Sequence, residues 1–145
     1  MSRTEQIARE LASGLGTPDL DAICEKMGII TLEQELPDRV NGFTVKMNGI
    51  SFIVLNRSLE RYRKRFTKAH ELGHIVMHGG MNSLELSLNT GFCVSRYERE
   101  ADSFAAWLLL LAGVSELEGL ESFTAEDVSR IAHIPMSAAD SAFMQ

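Results

Sequence analysis

The H-E-x-x-H motif at residues 70–74 constrains this chain more than any other feature of its sequence. Residues four positions apart on an α-helix lie one above the other, so His70 and His74 would both face one metal ion. Glu71 would lie beside them, placed to accept a proton from a water molecule whose pKa a zinc ion lowers to about 7. The motif therefore predicts a long helix that carries two zinc ligands and a catalytic base. Ser58 as its N-cap and Gly79-Gly80 after its end predict that this helix runs from Leu59 to His78.

The surroundings of the motif argue against a simpler interpretation, an exposed helix with two incidental histidines and a solvated glutamate. Gly73 lies between the histidines, where the missing side chain lets another element approach closely. A predicted β-hairpin precedes the helix. It could supply the edge strand to which an extended peptide substrate binds. A segment rich in carboxylates follows at a distance suited to supplying a third ligand. Together these features favour a functional metal site.

The third ligand is predicted among residues 97–102, because a catalytic zinc site has three protein ligands and an open fourth position. Glu98 is the favoured ligand. Asp102 follows one helical turn later, where it could accept a hydrogen bond from the free ring nitrogen of a ligand histidine. Glu100 points about 200° away around the helix, so it and Glu98 cannot both face the metal. Glu100 is the alternative ligand, and the glutamate that does not bind the metal is expected to be a solvated surface carboxylate.

Five further helices are predicted from capping residues, apolar residues at helical spacing and glycine or proline breakers. They cover residues 2–15, 18–27, 95–112 and 124–132, and a last segment capped by Ser137. The helix at residues 95–112 is strongly apolar toward its C-terminal end, which predicts burial on several sides. It is therefore expected to be the central helix of the core.

A small sheet is predicted between the second and third helices. Apolar and polar residues alternate on both sides of Asn48-Gly49, which is typical of a hairpin with a two-residue turn over about residues 42–55. A short strand is predicted at residues 29–32. Because helices come first, then a small antiparallel or mixed sheet, then helices again, the order indicates an α+β fold rather than alternating βαβ units.

Composition and charge limit the class of protein. The chain has 145 residues, of which 45% are hydrophobic, which is enough for one domain at residues 1–145 with a sizeable core. Its two cysteines, Cys24 and Cys93, are expected to be free thiols in that core. A net charge of −6 argues against direct binding of nucleic acid, which requires a basic surface. The N-terminus lacks an apolar signal region, and the longest apolar run, Phe104 to Val114, is too short to span a bilayer. A cytoplasmic protein is therefore expected.

Two segments together resemble the ImmA/IrrE family of metallopeptidase-like proteins: R-F-T-K-A-H-E-L-G-H at residues 65–74 and E-R-E-A-D-S-F-A-A-W-L-L at residues 98–109. The similarity extends over about residues 19–111 and, more weakly, from Val128 to the end. The family has gluzincin architecture, with H-E-x-x-H on one helix and E-x-x-x-D on the next. The resemblance therefore implies a zincin-like fold that binds one Zn²⁺ per chain, with Glu98 as the third ligand and Asp102 as the partner of a ligand histidine.

The resemblance also implies a substrate. Members of the family act in bacteria, phages and mobile elements, where they cleave or otherwise inactivate a helix-turn-helix repressor after DNA damage or another stress. The implied partner of this chain is a repressor that is hydrolysed at a peptide bond, and any contact with DNA would be made through that repressor. One alternative is a regulatory module that keeps the metal site and inactivates a repressor by docking without proteolysis. Another is a toxin–antitoxin or operon partner with the same site residues and a different target.

Some features remain outside the motif. The family commonly has Met-Pro after the leucines of the second segment, whereas this chain continues through four leucines at residues 108–111, consistent with a longer helix. His78 lies about 12 Å along the helix from His70, too far to share a metal ion, so it is expected to be a hydrogen-bonded histidine near the helix end. The donor to a tetrahedral oxyanion is left open among Tyr62, Tyr97, Arg96 and a loop at residues 82–92.

Overall fold

The structure is a computed structural model that describes residues 1–79, 92–114 and 122–143. Within these residues it contains six α-helices and a three-stranded sheet, and this mixture confirms the predicted α+β class. In chain order the elements are α1 (Arg3–Leu15), α2 (Leu20–Lys26), β1 (Ile30–Gln34), β2 (Gly42–Met47), β3 (Ile50–Asn56), α3 (Arg61–Met77), α4 (Phe92–Gly113), α5 (Ala125–Ala132) and α6 (Met136–Ala142).

The predicted hairpin is formed by β2 and β3. Asn48 and Gly49 have positive φ angles of 52° and 79°, as the tight turn between two antiparallel strands requires. Strand β3 lies in the centre of the sheet, where it pairs antiparallel with β2 on one side and parallel with β1 on the other. The sheet is therefore mixed, and β2 is an edge strand.

One face of the sheet packs on α3. Ile53, Leu55 and Thr44 are buried on this face. A Cβ atom at Gly42 would lie 2.6 Å from a carbonyl oxygen of β3 and 2.9 Å from Cγ2 of Thr67 in α3. Because glycine has no side chain, the first residue of β2 can lie directly against α3. This contact brings the edge strand beside the H-E-x-x-H motif.

Helix α4 is the central helix of the core, as its apolar sequence predicts. It packs against α1, α3, α5 and α6. Every residue from 103 to 111 is at most 6% exposed, and each fully buried leucine contributes roughly 1.5–3 kcal/mol to folding. The helix continues through the four leucines to Gly113, in agreement with the expected extension. None of the helices in the described parts of the chain is long and apolar enough to cross a membrane.

Cys24, one of the two predicted core thiols, lies on α2 and is buried in the core. Burial raises the pKa of its thiol to about 11, so the group is neutral and unreactive at physiological pH. The side chain of Cys93 lies outside the described part of the chain.

Several predicted helix starts are wrong. Ser58 does not cap α3, because its hydroxyl and its amide both donate to Oδ1 of Asn56, at 2.9 and 3.1 Å. Glu60 is the N-cap instead, and its carboxylate accepts hydrogen bonds from two amides in the first turn. Ser137 lies inside the first turn of α6, which has no side-chain cap. Helix α4 also starts earlier than predicted, at Phe92.

Helix α4 approaches α3 closely at Gly73, as the sequence predicts. A Cβ atom at this position would lie 3.0 Å from Cδ1 of Phe104 and 3.3 Å from Cα of Ala101, and both of these residues are fully buried. We expect Gly73→Ala to lower the free energy of unfolding by roughly 1–3 kcal/mol, because the packed core cannot move aside freely. Urea unfolding of the purified variant measures this change.

Gly14 offers a matched control, since it also lies in a helix but a Cβ atom there would meet no atom within 4 Å. Gly14→Ala is expected to raise the free energy of unfolding by about 0.5–1 kcal/mol, because alanine is the better helix former. Similar gains in stability for both substitutions would contradict the close contact between α3 and α4.

Candidate metal centre and cleft

The two histidines of the motif lie on one face of α3. Their ring centroids are 4.8 Å apart and their planes are nearly perpendicular, at 81°. The side chain of His74 is fully buried and that of His70 is 13% exposed. The helical spacing therefore brings both rings to the side of α3 that faces α4.

Glu98 of α4 lies opposite this pair. Its Oε2 is 2.9 Å from Nε2 of His70, and its Oε1 is 3.0 Å from Nε2 of His74. The candidate ligand atoms of the three residues all lie within 4.8 Å of one another, so this group could hold a metal ion. In a tetrahedral zinc site with bonds of about 2.0–2.1 Å, ligand atoms lie roughly 3.3 Å apart. The contacts of Glu98 with the two histidines, at 2.9 and 3.0 Å, are close to this spacing.

The buried Nε2 of His74 fits a metal ligand in a second way. It forms no hydrogen bond with any residue in the described ranges, although Oε1 of Glu98 lies only 3.0 Å away. A buried polar atom without a hydrogen bond costs roughly 1–3 kcal/mol, and native proteins seldom leave one so. Two imidazoles and one carboxylate are also a donor set that suits zinc. The residues at this site therefore fit a zinc ion.

The second ring nitrogen of His70 has a carboxylate partner. Its Nδ1 lies 2.7 Å from Oδ1 of Asp102, which is one helical turn after Glu98 on α4. When Nε2 of a histidine binds a metal, Nδ1 carries the ring proton and donates it. The geometry therefore allows Asp102 to accept that hydrogen bond and to orient the ring of His70.

Glu100 lies away from the histidine pair and is not the solvated carboxylate that was expected. Its Oε2 lies 3.4 Å from Nε2 of His78 and accepts a hydrogen bond from Nη1 of Arg3 at 2.9 Å. Its Oε1 accepts a hydrogen bond from Nε of Arg96 at 3.0 Å. The expectation is wrong because the direction of a side chain around α4 does not reveal that α1 and the end of α3 lie on that side. His78 itself is buried and hydrogen-bonded at the end of α3, as predicted.

In the metal-free site, the pKa values of His70 and Glu98 are both shifted by their contacts. Burial alone would lower the pKa of His70, but hydrogen bonds to Asp102 and Glu98 raise it to about 10. Burial would raise the pKa of Glu98, but its close contacts with the rings of His70 and His74 hold it well below its usual range. At neutral pH, the metal-free site therefore contains a His70 imidazolium and an ionised Glu98.

Zinc binding is therefore expected to release the proton of His70. A ligand imidazole must be neutral, and pH 7 lies well below the raised pKa of about 10. We expect about one proton to be released per zinc ion, so the apparent zinc affinity would rise about tenfold per pH unit near neutrality. Calorimetric titrations in buffers that differ in ionisation enthalpy count the released protons. Binding that releases no proton at pH 7 would contradict this electrostatic description.

A cleft of about 690 Å³ opens beside the three groups. Its walls come from α3, from α4 and from the segment that leads into β2, so that Gly42 lies at its edge. Glu71 also lines the cleft, next to His70, and is only 5% exposed. The structure therefore brings the predicted base, Glu71, close to the three candidate metal ligands His70, His74 and Glu98.

The residues considered as oxyanion donors lie elsewhere in the described structure. Tyr62 stacks on His133, with ring centroids 4.1 Å apart, and Tyr97 packs against His78 at 4.4 Å. Arg96 is ion-paired with a glutamate of α4. None of the three lines the cleft. Residues 82–91 of the candidate loop lie outside the described part of the chain.

Arg39 also lines the cleft, a position that no sequence pattern indicates. It lies in the connection between β1 and β2, where no helical or strand period indicates the direction of a side chain. The buried side chain of Asn56 fixes this connection, because its Nδ2 donates to the carbonyl oxygens of Leu36, Pro37 and Val40 at 3.2, 3.3 and 2.9 Å. The cation therefore lies on a segment that is tied to the end of β3.

The fold and the site together define the class of protein. An H-E-x-x-H helix packed on a small mixed sheet, with a glutamate from the next helix facing the two histidines, is typical of a zincin-like metallopeptidase. Residues 24–116 match the IrrE N-terminal-like domain of peptidase family M78. The chain belongs to the ImmA/IrrE family, which confirms the resemblance drawn from the two sequence segments.

Two relatives illustrate the similarity. The chain is 30% identical over 113 residues to "Uncharacterized immunity region protein 2" of Bacillus phage phi105, an alignment that covers 78% of this chain and 72% of the relative. It is 26% identical over 129 residues to "Metallopeptidase ImmA" of Bacillus subtilis (strain 168), an alignment that covers 86% of this chain and 75% of the relative. The family and the Bacillus subtilis relative support a metallopeptidase in general.

Proposed function

We propose that this chain is a single-domain, zinc-dependent metallopeptidase that hydrolyses a peptide bond in a specific protein, a helix-turn-helix repressor. The observation that carries the proposal is the convergence of His70, His74 and Glu98 at contacts of 2.9–3.0 Å beside the buried Glu71. The family and the name of the Bacillus subtilis relative support the peptidase activity. The name of the phage relative, a protein of an immunity region, supports a repressor as the substrate.

Each residue of the site has a role in this proposal. His70, His74 and Glu98 hold the zinc ion, and Asp102 orients the ring of His70. Zinc supplies Lewis acidity, which polarises the scissile carbonyl and makes a water molecule acidic near neutral pH. Glu71 accepts a proton from the attacking water and delivers it to the nitrogen of the leaving amine. One side chain therefore acts first as a base and then as an acid.

The edge strand supplies a binding surface for the substrate. Among the described residues, strand β2 pairs with β3 on one side only, and its first residue, Gly42, lies at the edge of the cleft. An extended substrate segment would add to β2 through backbone hydrogen bonds, which would carry its scissile bond past the metal centre. Arg39 lies on the same wall and would meet the oxyanion or an acidic side chain of the substrate.

The test of the proposed function is cleavage of a helix-turn-helix repressor from the genome that encodes this chain. The zinc-loaded protein and the repressor are incubated together, and mass spectrometry looks for two fragments that sum to the intact repressor plus one water. We expect cleavage at one bond, and no cleavage after a zinc chelator is added. An intact repressor that co-elutes with the zinc-loaded chain would instead support inactivation by docking.

A further inference from the structure

A chain of polar contacts leads from His74 away from the cleft. Nδ1 of His74 lies 2.9 Å from Nδ1 of His78, and Nε2 of His78 lies 3.4 Å from Oε2 of Glu100. The two histidines are only 1% and 6% exposed, so the contact between their rings is shielded from water. Neither His78 nor Glu100 has a role in the mechanism described above.

The contact between the two rings has a direction once one ring binds a metal. Two ring nitrogens at hydrogen-bonding distance share one proton, so one ring donates and the other accepts. If Nε2 of His74 binds zinc, the ring proton of His74 is on Nδ1. Nδ1 of His78 is then the acceptor, and the proton of His78 is on Nε2, which faces Glu100.

We infer that His78, held in place by Glu100, is a positioning residue for the metal centre: it fixes the ring of His74 and its proton so that the lone pair of Nε2 faces the zinc ion. This inference rests on the proposed zinc site. His78 would do for His74 what Asp102 would do for His70. Ligand histidines usually donate to a carboxylate, a backbone carbonyl or water. Here the imidazole of His78 would accept the hydrogen bond from His74 and would itself donate one to the carboxylate of Glu100.

Three further side chains hold His78 and Glu100 in place. The ring of Tyr97 packs on the ring of His78, with centroids 4.4 Å apart and planes tilted by 52°. Arg3 in the first turn of α1 and Arg96 in α4 both donate to the carboxylate of Glu100, at 2.9 and 3.0 Å. The orientation of a proposed metal ligand in α3 therefore depends on residues of α1 and α4.

Two substitutions of His78 separate this role from simple packing. The Oδ1 atom of asparagine occupies the same position along the side chain as Nδ1 of histidine, so His78→Asn keeps an acceptor for His74. His78→Leu keeps a side chain of similar length for packing but has no hydrogen-bond acceptor. We expect zinc affinity, measured by competition with a chromophoric chelator, to fall roughly 10–100-fold in His78→Leu and to stay within about threefold in His78→Asn. Wild-type affinity in His78→Leu, or equal losses in both variants, would overturn the inference.

The zinc-loaded wild-type protein offers a second test that needs no substitution. Nitrogen NMR of the chain labelled with ¹⁵N-histidine reports which ring nitrogen carries each proton. We expect the proton of His74 on Nδ1 and that of His78 on Nε2. A proton on Nδ1 of His78 in the zinc-loaded protein would overturn the inference and leave the zinc site intact. Wild-type protein that binds no zinc at all would refute both the proposed site and the inference, so the two failures are distinguishable.

Discussion

A Glu71→Gln protein is expected to keep its zinc ion and to cleave its substrate roughly 10²–10⁴-fold more slowly than the wild type. Glutamine has the same shape as glutamate but cannot accept a proton from the attacking water. Glu71 is only 5% exposed and lines the cleft beside His70, so bulk solvent cannot easily replace it as the base. The rate of repressor cleavage and the zinc content of the same preparation are the two measurements.

The matched control is Glu25→Gln. Glu25 lies on α2, is exposed and does not line the cleft. This variant removes the same charge and is expected to cleave at the wild-type rate. If Glu71→Gln also cleaved at that rate with its zinc bound, Glu71 would not be the catalytic base.

Replacing His74 or Glu98 with alanine is expected to strip the protein of zinc. Binding at structural zinc sites is worth roughly 10–16 kcal/mol, and sharing this among four ligands assigns about 2.5–4 kcal/mol to each. Losing one ligand would therefore lower zinc affinity by roughly 10²–10³-fold. Cleavage would disappear with the metal. Elemental analysis after dialysis against a weak chelator measures the zinc that each variant retains.

His133→Asn is the matched control for these variants. His133 is exposed, stacks on Tyr62 and does not line the cleft, and its positive φ of 56° is one that asparagine tolerates. It is expected to keep one zinc ion per chain. Alanine variants of His74 and Glu98 that retained zinc as well as this control would place the metal elsewhere.

The elements of the fold that the sequence predicts well are those with local signals. The turn at Asn48-Gly49 needs positive φ angles that asparagine and glycine tolerate, so the hairpin could be recognised from two residues. The parallel pairing of β1 with β3 depends on contacts between distant segments, and no local pattern indicates it. The start of α3 could not be predicted for a related reason: Ser58 is a good capping residue in isolation, but the side chain of Asn56 binds it first.

The candidate site could also be predicted only in part from the sequence. Spacing on a helix indicates which side chains share a face, and this sufficed to group His70 with His74 and Glu98 with Asp102. Spacing does not show what lies opposite a face. The contacts of His78 with Glu100, and the position of Arg39 in a strand connection, appear only once α1, α3, α4 and the sheet are packed together.

The most direct test of the zinc site is anomalous diffraction at the zinc edge from crystals of the zinc-loaded protein. We predict one strong peak per chain, at about 2.0–2.2 Å from Nε2 of His70, from Nε2 of His74 and from a carboxylate oxygen of Glu98. A peak coordinated by other residues, or no peak in crystals grown with excess zinc, would contradict the three-ligand centre and the hydrolytic mechanism built on it.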